Sequence, residues 1–200
     1  MTPAEVGRLL VGVGAVEVRP DPQDWFTWTS GRRAPIYCDN RVLMGFPAER
    51  CAIADALVGA LRANHPDVEV IAGTATAGIP HAAWVAERMG LPMVYVRGSA
   101  KGHGKQKRVE GAPLAGEPVV VIEDLMSTGG SAADSVAALR EEGGKVLGVQ
   151  AIVSYGFPAA LERFAELGVP VHALTDYDAI LGLLDLDEVR TRALREWRES

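Results

Sequence analysis

The chain has 200 residues, of which 48% are hydrophobic and 23% charged, which is enough apolar material for one well-buried domain. Its formal net charge of −6 argues against a general affinity for nucleic acid or for anionic membranes. Because no segment is apolar for long enough to span a bilayer and the N-terminus lacks a secretory pattern, we expect a cytoplasmic protein whose two cysteines, Cys38 and Cys51, are reduced.

The first 45 residues combine one helix with short, interrupted segments. Apolar side chains at helical spacing predict a helix over residues 3–14. From Val16 to Tyr37, prolines and glycines break up the apolar runs, which indicates short strands and turns. We predict that residues of about 16–45 form a small N-terminal hood over a binding site, although an irregular cap over one edge of the core would give the same pattern.

Helical and strand patterns then alternate along the chain from residue 47 to residue 174. Five of the predicted helices cover residues 47–65, 80–89, 158–168, 176–184 and 187–197. A further helix is predicted to start at residue 131. The predicted strands cover residues 68–72, 92–96, 119–122, 145–153 and 171–174. This alternation predicts an α/β fold in which a mostly parallel central sheet is flanked by helices, built as a single domain over residues 1–200.

The most informative stretch of the chain runs from Val119 to Ser131. Four β-branched apolar residues in succession predict a strand that is buried on both faces of a parallel sheet. An acidic pair, Glu123 and Asp124, follows at the carboxyl end of this strand, and a loop of hydroxyls and glycines precedes the next helix. Backbone N–H groups and hydroxyls at a helix N-terminus form a site for one phosphate. The hydroxyls in this loop belong to Ser127, Thr128 and Ser131.

The acidic pair narrows the kind of phosphate site. Carboxylates beside a phosphate would repel it, so Glu123 and Asp124 are expected to face ribose hydroxyls or Mg²⁺ instead. No Lys-Ser or Lys-Thr pair follows the glycines, which excludes the nucleoside-triphosphate P-loop, and Gly12-Val13-Gly14 lacks the third glycine of a dinucleotide fingerprint. The alternative without a function is an ordinary buried strand that ends in a capped turn.

Two further segments carry features of an anion site. Residues 73–78 form a second hydroxyl-glycine loop after a strand, which fits either a diphosphate contact or a tight turn. No acid interrupts the segment from Arg97 to Val109, and we expect this glycine-rich stretch to stay mobile until a polyanion neutralises it, unless it is simply a solvated surface. Its cations are Arg97, Lys101, Lys105, Lys107 and Arg108.

The strand, acidic pair and loop of residues 119–131 resemble the signature of the type I phosphoribosyltransferases. Residues 30–41, 73–80 and 97–104 are similar to segments of the orotate phosphoribosyltransferases within that family. The resemblance implies transfer of the 5-phosphoribosyl group from 5-phosphoribosyl 1-diphosphate (PRPP) to orotate, which gives orotidine 5′-monophosphate and diphosphate in de novo pyrimidine (UMP) biosynthesis. It also implies Mg²⁺ bound to the substrate, rather than to protein ligands, and a homodimer in which the catalytic loop is shared across subunits.

The resemblance assigns roles to residues of this chain. Lys101, His103 and Asp124 would be catalytic, with His103 as the proton donor to diphosphate, since its unperturbed pKa of about 6.5 lies near neutral pH. Ser127 would also contact orotate. The residues that would bind PRPP are Arg97, Lys101, His103, Glu123, Asp124, Leu125, Met126, Ser127, Thr128, Gly129, Gly130 and Ser131.

The sequence departs from the family pattern at three places. Gly98 and Ala77 stand where some members carry basic residues, and an arginine that some members use against the orotate carboxylate has no counterpart near Gly156. Acceptor recognition is therefore assigned to backbone groups of residues 30–37 and to Arg41. Two alternatives stay open: transfer to another base, such as a purine, and a PRPP-sensing regulator without catalysis. A regulator of that kind would ordinarily need an added nucleic-acid-binding module, and residues 1–25 are too short and insufficiently basic to form one. We therefore expect neither nucleic-acid nor membrane partners for this chain.

Overall fold

The computed structural model describes residues 1–28, 31–98 and 108–199. The helices are α1 (Pro3–Gly12), α2 (Pro47–Asn64), α3 (Gly78–Met89), α4 (Gly130–Glu141), α5 (Pro158–Leu167), α6 (Tyr177–Leu181) and α7 (Glu188–Glu199). The strands are β1 (Val16–Val18), β2 (Phe26–Thr27), β3 (Arg33–Ala34), β4 (Ile36–Cys38), β5 (Val70–Thr74), β6 (Met93–Val96), β7 (Val109–Gly111), β8 (Pro118–Met126), β9 (Lys145–Ser154) and β10 (Val171–Asp176). Two short 3-10 segments cover Pro22–Asp24 and Asn40–Gly45.

Six of these strands form the central sheet, in the order β10-β9-β8-β5-β6-β7. All neighbouring pairs are parallel except β6 and β7, which are antiparallel. The predicted mostly parallel sheet is therefore confirmed. The sequence pattern missed β7, because a three-residue edge strand carries no clear apolar alternation. It also ended β8 too early, since this strand continues through the acidic pair to Met126.

The apolar run of β8 faces both sides of the sheet, as its composition predicted. Val120 and Ile122 belong to one core cluster, which includes Leu57 of α2. Val119 and Val121 belong to a second cluster with residues of α4 and α5. All four side chains of the run have no solvent exposure. Helices thus cover both faces of the sheet, because each face of β8 is apolar and must be shielded from water.

The N-terminal hood, residues 16–45, consists of two small antiparallel sheets, β1 with β4 and β2 with β3. The C-terminal helix α7 fastens the hood to the body of the protein. Trp197 Nε1 donates to the carbonyl of Arg33 at 2.8 Å, and Arg32 Nη2 donates to the carbonyl of Trp197 at 3.0 Å. The indole of Trp28 stacks on the ring of Tyr155, with centroids 5.7 Å apart. Aromatic contacts therefore hold the hood over the end of β9.

Two aspartates cap the N-terminal ends of the last two helices. Asp176 accepts a hydrogen bond from Ala179 N at 2.8 Å and opens α6, and Asp187 accepts one from Arg190 N at 2.8 Å before α7. Helix α6 stops at Leu181, three residues short of the predicted end. None of the described helices combines the length and the apolar character that a membrane crossing requires.

Candidate active site

Two neighbouring parallel strands, β5 and β8, end at the same edge of the sheet. The loop of residues 75–77 follows β5, and the loop of residues 127–129 follows β8. A buried contact joins the two elements, because Thr74 Oγ1 lies 3.2 Å from Ser135 Oγ, which donates to the carbonyl of Ser131 at 3.0 Å. The two glycine-containing loops that the sequence singled out therefore lie side by side, as an open α/β site requires.

The acidic pair lies at the end of β8, beside both loops. Glu123 is buried, with 6% of its surface exposed, and its Oε1 accepts a hydrogen bond from Asp124 N at 3.1 Å. Burial raises the pKa of Glu123, and the adjacent Asp124 carboxylate raises it further. Burial also raises the pKa of Asp124. Such a crowded pair is stabilised by hydroxyl donors or by a cation, which are the partners predicted from sequence.

The loop of residues 127–129 depends on a close backbone approach at Gly129. Its φ of +76° lies in the left-handed region, and a Cβ there would be 2.9 Å from Phe164 Cε2 and 3.2 Å from Met126 Sδ. Met126 itself is buried beneath the loop, so only its backbone is available to a ligand, whereas Thr128 is exposed. Helix α4 begins at Gly130, one residue before the predicted start. Its N-terminus faces the loop and favours an anion there.

The start of α3, directly after the loop of residues 75–77, lies close to β8. A Cβ on Gly78 would lie 2.6 Å from the carbonyl oxygen of Ile122, so only glycine lets α3 begin this near the central strand. The peptide bond between Ala75 and Thr76 is cis. The start of α3 is therefore packed against the strand that carries the acidic pair.

A cavity of about 550 Å³ lies between the hood and the ends of β8 and β9, and we call it the hood pocket. It unites Ser127 and Arg41, the two side chains that the sequence linked to the acceptor. Asn40 Nδ2 donates to the carbonyl of Asp124 at 2.7 Å, which joins the floor of the hood to the acidic pair. The residues that line the hood pocket are Thr27, Trp28, Tyr37, Cys38, Arg41, Leu125, Ser127 and Tyr155.

Sequence reasoning missed several of these lining residues. Trp28 and Tyr155 are 127 positions apart in the sequence, and only their stacking shows that they share a wall. Cys38 was interpreted only as a reduced thiol. Burial, with the nearby Asp124 and Asp39 carboxylates, raises the pKa of the Cys38 thiol far above its usual range, so this wall of the pocket is a neutral thiol. The only sequence feature that could have indicated these lining residues was the cluster of aromatic residues in the hood segment.

The basic segment begins and ends at the outer edge of the sheet. Arg97 N donates to the carbonyl of Arg108 at 2.9 Å, and Val96 pairs with Val109 across β6 and β7. Arg97 also lies 3.5 Å from Glu110 through Nη1 and Oε1. The described ends of the segment are thus anchored one strand beyond β5. Lys101 and His103, together with Lys105 and Lys107, lie outside the described residues.

The described histidines are His65, His81 and His172, and none of them lines the hood pocket. His81 is buried beside Trp84, and burial lowers the pKa of its imidazole to about 4. His65 and His172 have ring centroids 5.6 Å apart. In residues 1–28, 31–98 and 108–199, no group of three or more His, Cys, Asp or Glu side chains could hold a metal ion.

Known proteins resemble this chain in sequence and in fold. The sequence model of the phosphoribosyl transferase domain family matches residues 47–164 of this chain. The orotate phosphoribosyltransferase of Staphylococcus aureus is 47% identical over 202 residues, which cover 98% of each chain. The crystal structure of orotate phosphoribosyltransferase from Aeropyrum pernix has a TM-score of 0.79 at 34% identity, and the match covers 89% of this chain and 97% of that chain.

A liganded structure is also similar. The orotate phosphoribosyltransferase of Mycobacterium tuberculosis H37Rv, solved in complex with PRPP, has a TM-score of 0.69 at 26% identity, and the match covers 89% of this chain and 98% of that chain. The sequence match extends over almost the whole length, and the match to the family model, over residues 47–164, includes the strands β5 and β8 that carry the candidate site. The chain therefore belongs to the phosphoribosyltransferase family, and within it to the orotate phosphoribosyltransferases.

Proposed function

We propose that this chain transfers the 5-phosphoribosyl group from PRPP to orotate at the carboxyl edge of β5 and β8. The observation that carries the proposal is the place of the acidic pair, between the phosphate loop and the hood pocket. Leu125 directly follows the acidic pair and Ser127 comes two positions later, and both line the pocket. Asn40 donates to the Asp124 carbonyl from the hood side. A sugar bound at the acidic pair would therefore have a base-sized cavity beside it.

The donor would bind along the end of β8. Backbone N–H groups of residues 126–131 and the hydroxyls of Ser127, Thr128 and Ser131 would hold the 5-phosphate, with Gly129 and Gly130 allowing the close approach. Glu123 and Asp124 would accept hydrogen bonds from the ribose hydroxyls. Their raised pKa values support this role, since hydroxyl donors relieve the crowding of the buried Glu123 carboxyl and the half-buried Asp124 carboxyl.

The leaving diphosphate would lie toward the loop of residues 75–77 and Arg97. As its bond to the anomeric carbon breaks, positive charge develops on the sugar and negative charge on the departing oxygen, and a ring nitrogen of orotate forms the new bond. Lys101 and His103 are proposed to neutralise the departing oxygen, with His103 giving it a proton. This assignment rests on their sequence positions, between the anchored residues Arg97 and Arg108.

The proposal includes Mg²⁺ bound mainly by PRPP oxygens. The described residues offer an acidic pair but no cluster of three or more ligands, which suits a substrate-held ion that keeps several waters. When bound, the ion would neutralise charge on the diphosphate. Glu123 and Asp124 would then orient the ribose and need not enclose the metal.

We also propose that residues 16–45 act as the hood over the acceptor, within a single domain. The hood pocket and the hydrogen bonds from Trp197 and Arg32 support this role. The family resemblance supports a cytoplasmic homodimer in which the segment between Arg97 and Arg108 is shared across subunits. Sedimentation of the purified protein, with and without PRPP, tests the dimer.

A spectrophotometric assay tests the reaction. The protein is mixed with PRPP and Mg²⁺, and the absorbance of orotate, hypoxanthine or adenine is followed in separate reactions. Loss of orotate absorbance only when PRPP is present supports the proposal. Turnover of a purine without turnover of orotate would overturn the acceptor assignment, and PRPP binding without turnover of any base would favour a PRPP-sensing regulator.

A further inference from the structure

Arg41 is the one cationic side chain that lines the hood pocket among the residues that the structure describes. It follows Asp39 by two positions, at the start of the 3-10 segment Asn40–Gly45. Asp39 Oδ1 accepts from Arg41 Nε at 2.6 Å, and Asp39 Oδ2 accepts from Arg41 Nη2 at 2.7 Å. The same Oδ1 accepts from Arg41 N at 3.1 Å. These three bonds fix the plane of the guanidinium relative to the backbone.

The pairing with Asp39 occupies only one edge of the guanidinium. An arginine carries five N–H groups in one plane, and Asp39 uses the Nε–H and one Nη2–H. The second edge, formed by Nη1 and Nη2, has no hydrogen-bond partner among the described residues. Its two parallel N–H groups match the two oxygens of a planar carboxylate. The Arg41 side chain is 57% exposed, so this edge is open to a ligand.

We infer that Arg41 binds the carboxylate of the acceptor base and that Asp39 is its positioning residue. The inference rests on the proposed function and adds the basis of acceptor selection to it. An acidic pyrimidine would pair with the open edge, whereas an uncharged pyrimidine such as uracil would leave those N–H groups unpaired. A site built around directed donors discriminates strongly against an analogue that lacks the acceptor group.

The local charge balance explains why the preference should be for a planar anion. The carboxylates of Asp39 and Asp124 both act on the charge of Arg41. Because Asp39 already compensates this cation, the attraction for a second carboxylate comes mainly from the two directed N–H groups. Monatomic anions cannot use both groups in parallel, so chloride is expected to compete poorly with the acceptor.

Three variants test the inference by steady-state kinetics. Arg41→Gln should raise the KM for orotate about 10- to 100-fold, which corresponds to the loss of charged hydrogen bonds. The KM for PRPP and kcat should stay within about threefold, because the change removes binding of one substrate only. Arg41→Lys keeps the charge without the fork and should give an intermediate KM. Arg19→Gln is the matched control: Arg19 pairs with Glu17 at 3.0 Å in the hood but does not line the pocket.

Calorimetric binding of orotate and of uracil gives a readout independent of turnover. Wild-type protein should bind orotate more tightly than uracil, and Arg41→Gln should lose that preference. A wild-type protein that fails to convert orotate with PRPP would overturn the proposed function. Conversion by wild type, with an unchanged orotate KM or an equal loss of PRPP affinity in Arg41→Gln, would overturn the role of Arg41 alone. Thermal melting of each variant confirms that it is folded.

Discussion

Asn40 Nδ2 donates a 2.7 Å hydrogen bond to the backbone carbonyl of Asp124, which ties the hood to the acidic pair. Asn40 has no solvent exposure, so water cannot replace this donor. We expect Asn40→Ala to lower the free energy of unfolding by about 1–3 kcal/mol, because the Asp124 carbonyl loses its buried partner. Urea denaturation measures this change.

The same variant should also raise the KM for PRPP, since the backbone that orients the Asp124 carboxylate is no longer held. Asn64→Ala is the control, because Asn64 is exposed at the end of α2. Wild-type stability and wild-type PRPP affinity in Asn40→Ala would show that the hood does not position the acidic pair.

Asp124→Asn tests the assignment of the acidic pair to the ribose. The amide retains the shape but loses the charge, and charge-assisted hydrogen bonds contribute about 1.5–3 kcal/mol. We therefore expect PRPP to bind more weakly by that amount in calorimetric titrations. Asp134→Asn, an exposed position on α4, should bind PRPP as wild type does. Equal affinity in both variants would mean that Asp124 faces something other than the donor.

Lys101→Ala tests the basic segment. We expect kcat to fall at least about 100-fold, as it does when a donor to developing negative charge is removed. Lys145→Ala is the control, since Lys145 is exposed at the start of β9, at the opposite end of the sheet. Circular dichroism should show the same helix content in both variants. Comparable turnover in Lys101→Ala would remove this residue from the mechanism.

Gly129→Ala tests the close backbone approach in the loop of residues 127–129. A Cβ there would meet Phe164 Cε2 at 2.9 Å and would also strain a φ of +76°, so the loop must shift and the KM for PRPP should rise. Gly168→Ala separates the two effects, because Gly168 has a φ of +63° with open space around it. It should cost about 1 kcal/mol of stability without changing the KM for PRPP. Similar kinetics in the two variants would contradict the steric explanation.

The burial of His81 makes the stability of the folded protein depend on pH. Its pKa is lowered to about 4 in the folded state, whereas an unfolded histidine titrates near 6.5. Between these pH values, His81 is protonated in the unfolded chain but neutral in the folded protein. The free energy of unfolding therefore falls as the pH drops from about 6.5 to 4. The shift corresponds to about 3 kcal/mol across that window.

His81→Phe should remove this part of the pH dependence. Chemical denaturation of wild type and variant at pH values between 4 and 7 measures the difference between their slopes. Parallel curves would show that folding does not lower the pKa of His81, contrary to its burial.

Local sequence patterns determined the central sheet and the loop that follows its central strand. The apolar run from Val119 to Ile122 could only be shielded on two faces, so it predicted a central parallel strand. The acidic pair and the glycines after it predicted a site for a sugar phosphate. Such a site is formed by backbone and side-chain atoms that are close together in the sequence. Residues adjacent in sequence are adjacent in space, and for this reason residues 119–131 carried most of the functional prediction.

Contacts between distant parts of the chain were decided only by the tertiary structure. Strand β7 exists because its backbone returns to pair with β6, and Trp197 holds Arg33 across 164 positions of sequence. The hood pocket likewise forms only when Trp28 stacks on Tyr155 and Asn40 reaches Asp124. Packing free energy depends on which surfaces meet, and a local sequence pattern does not specify the partner surface.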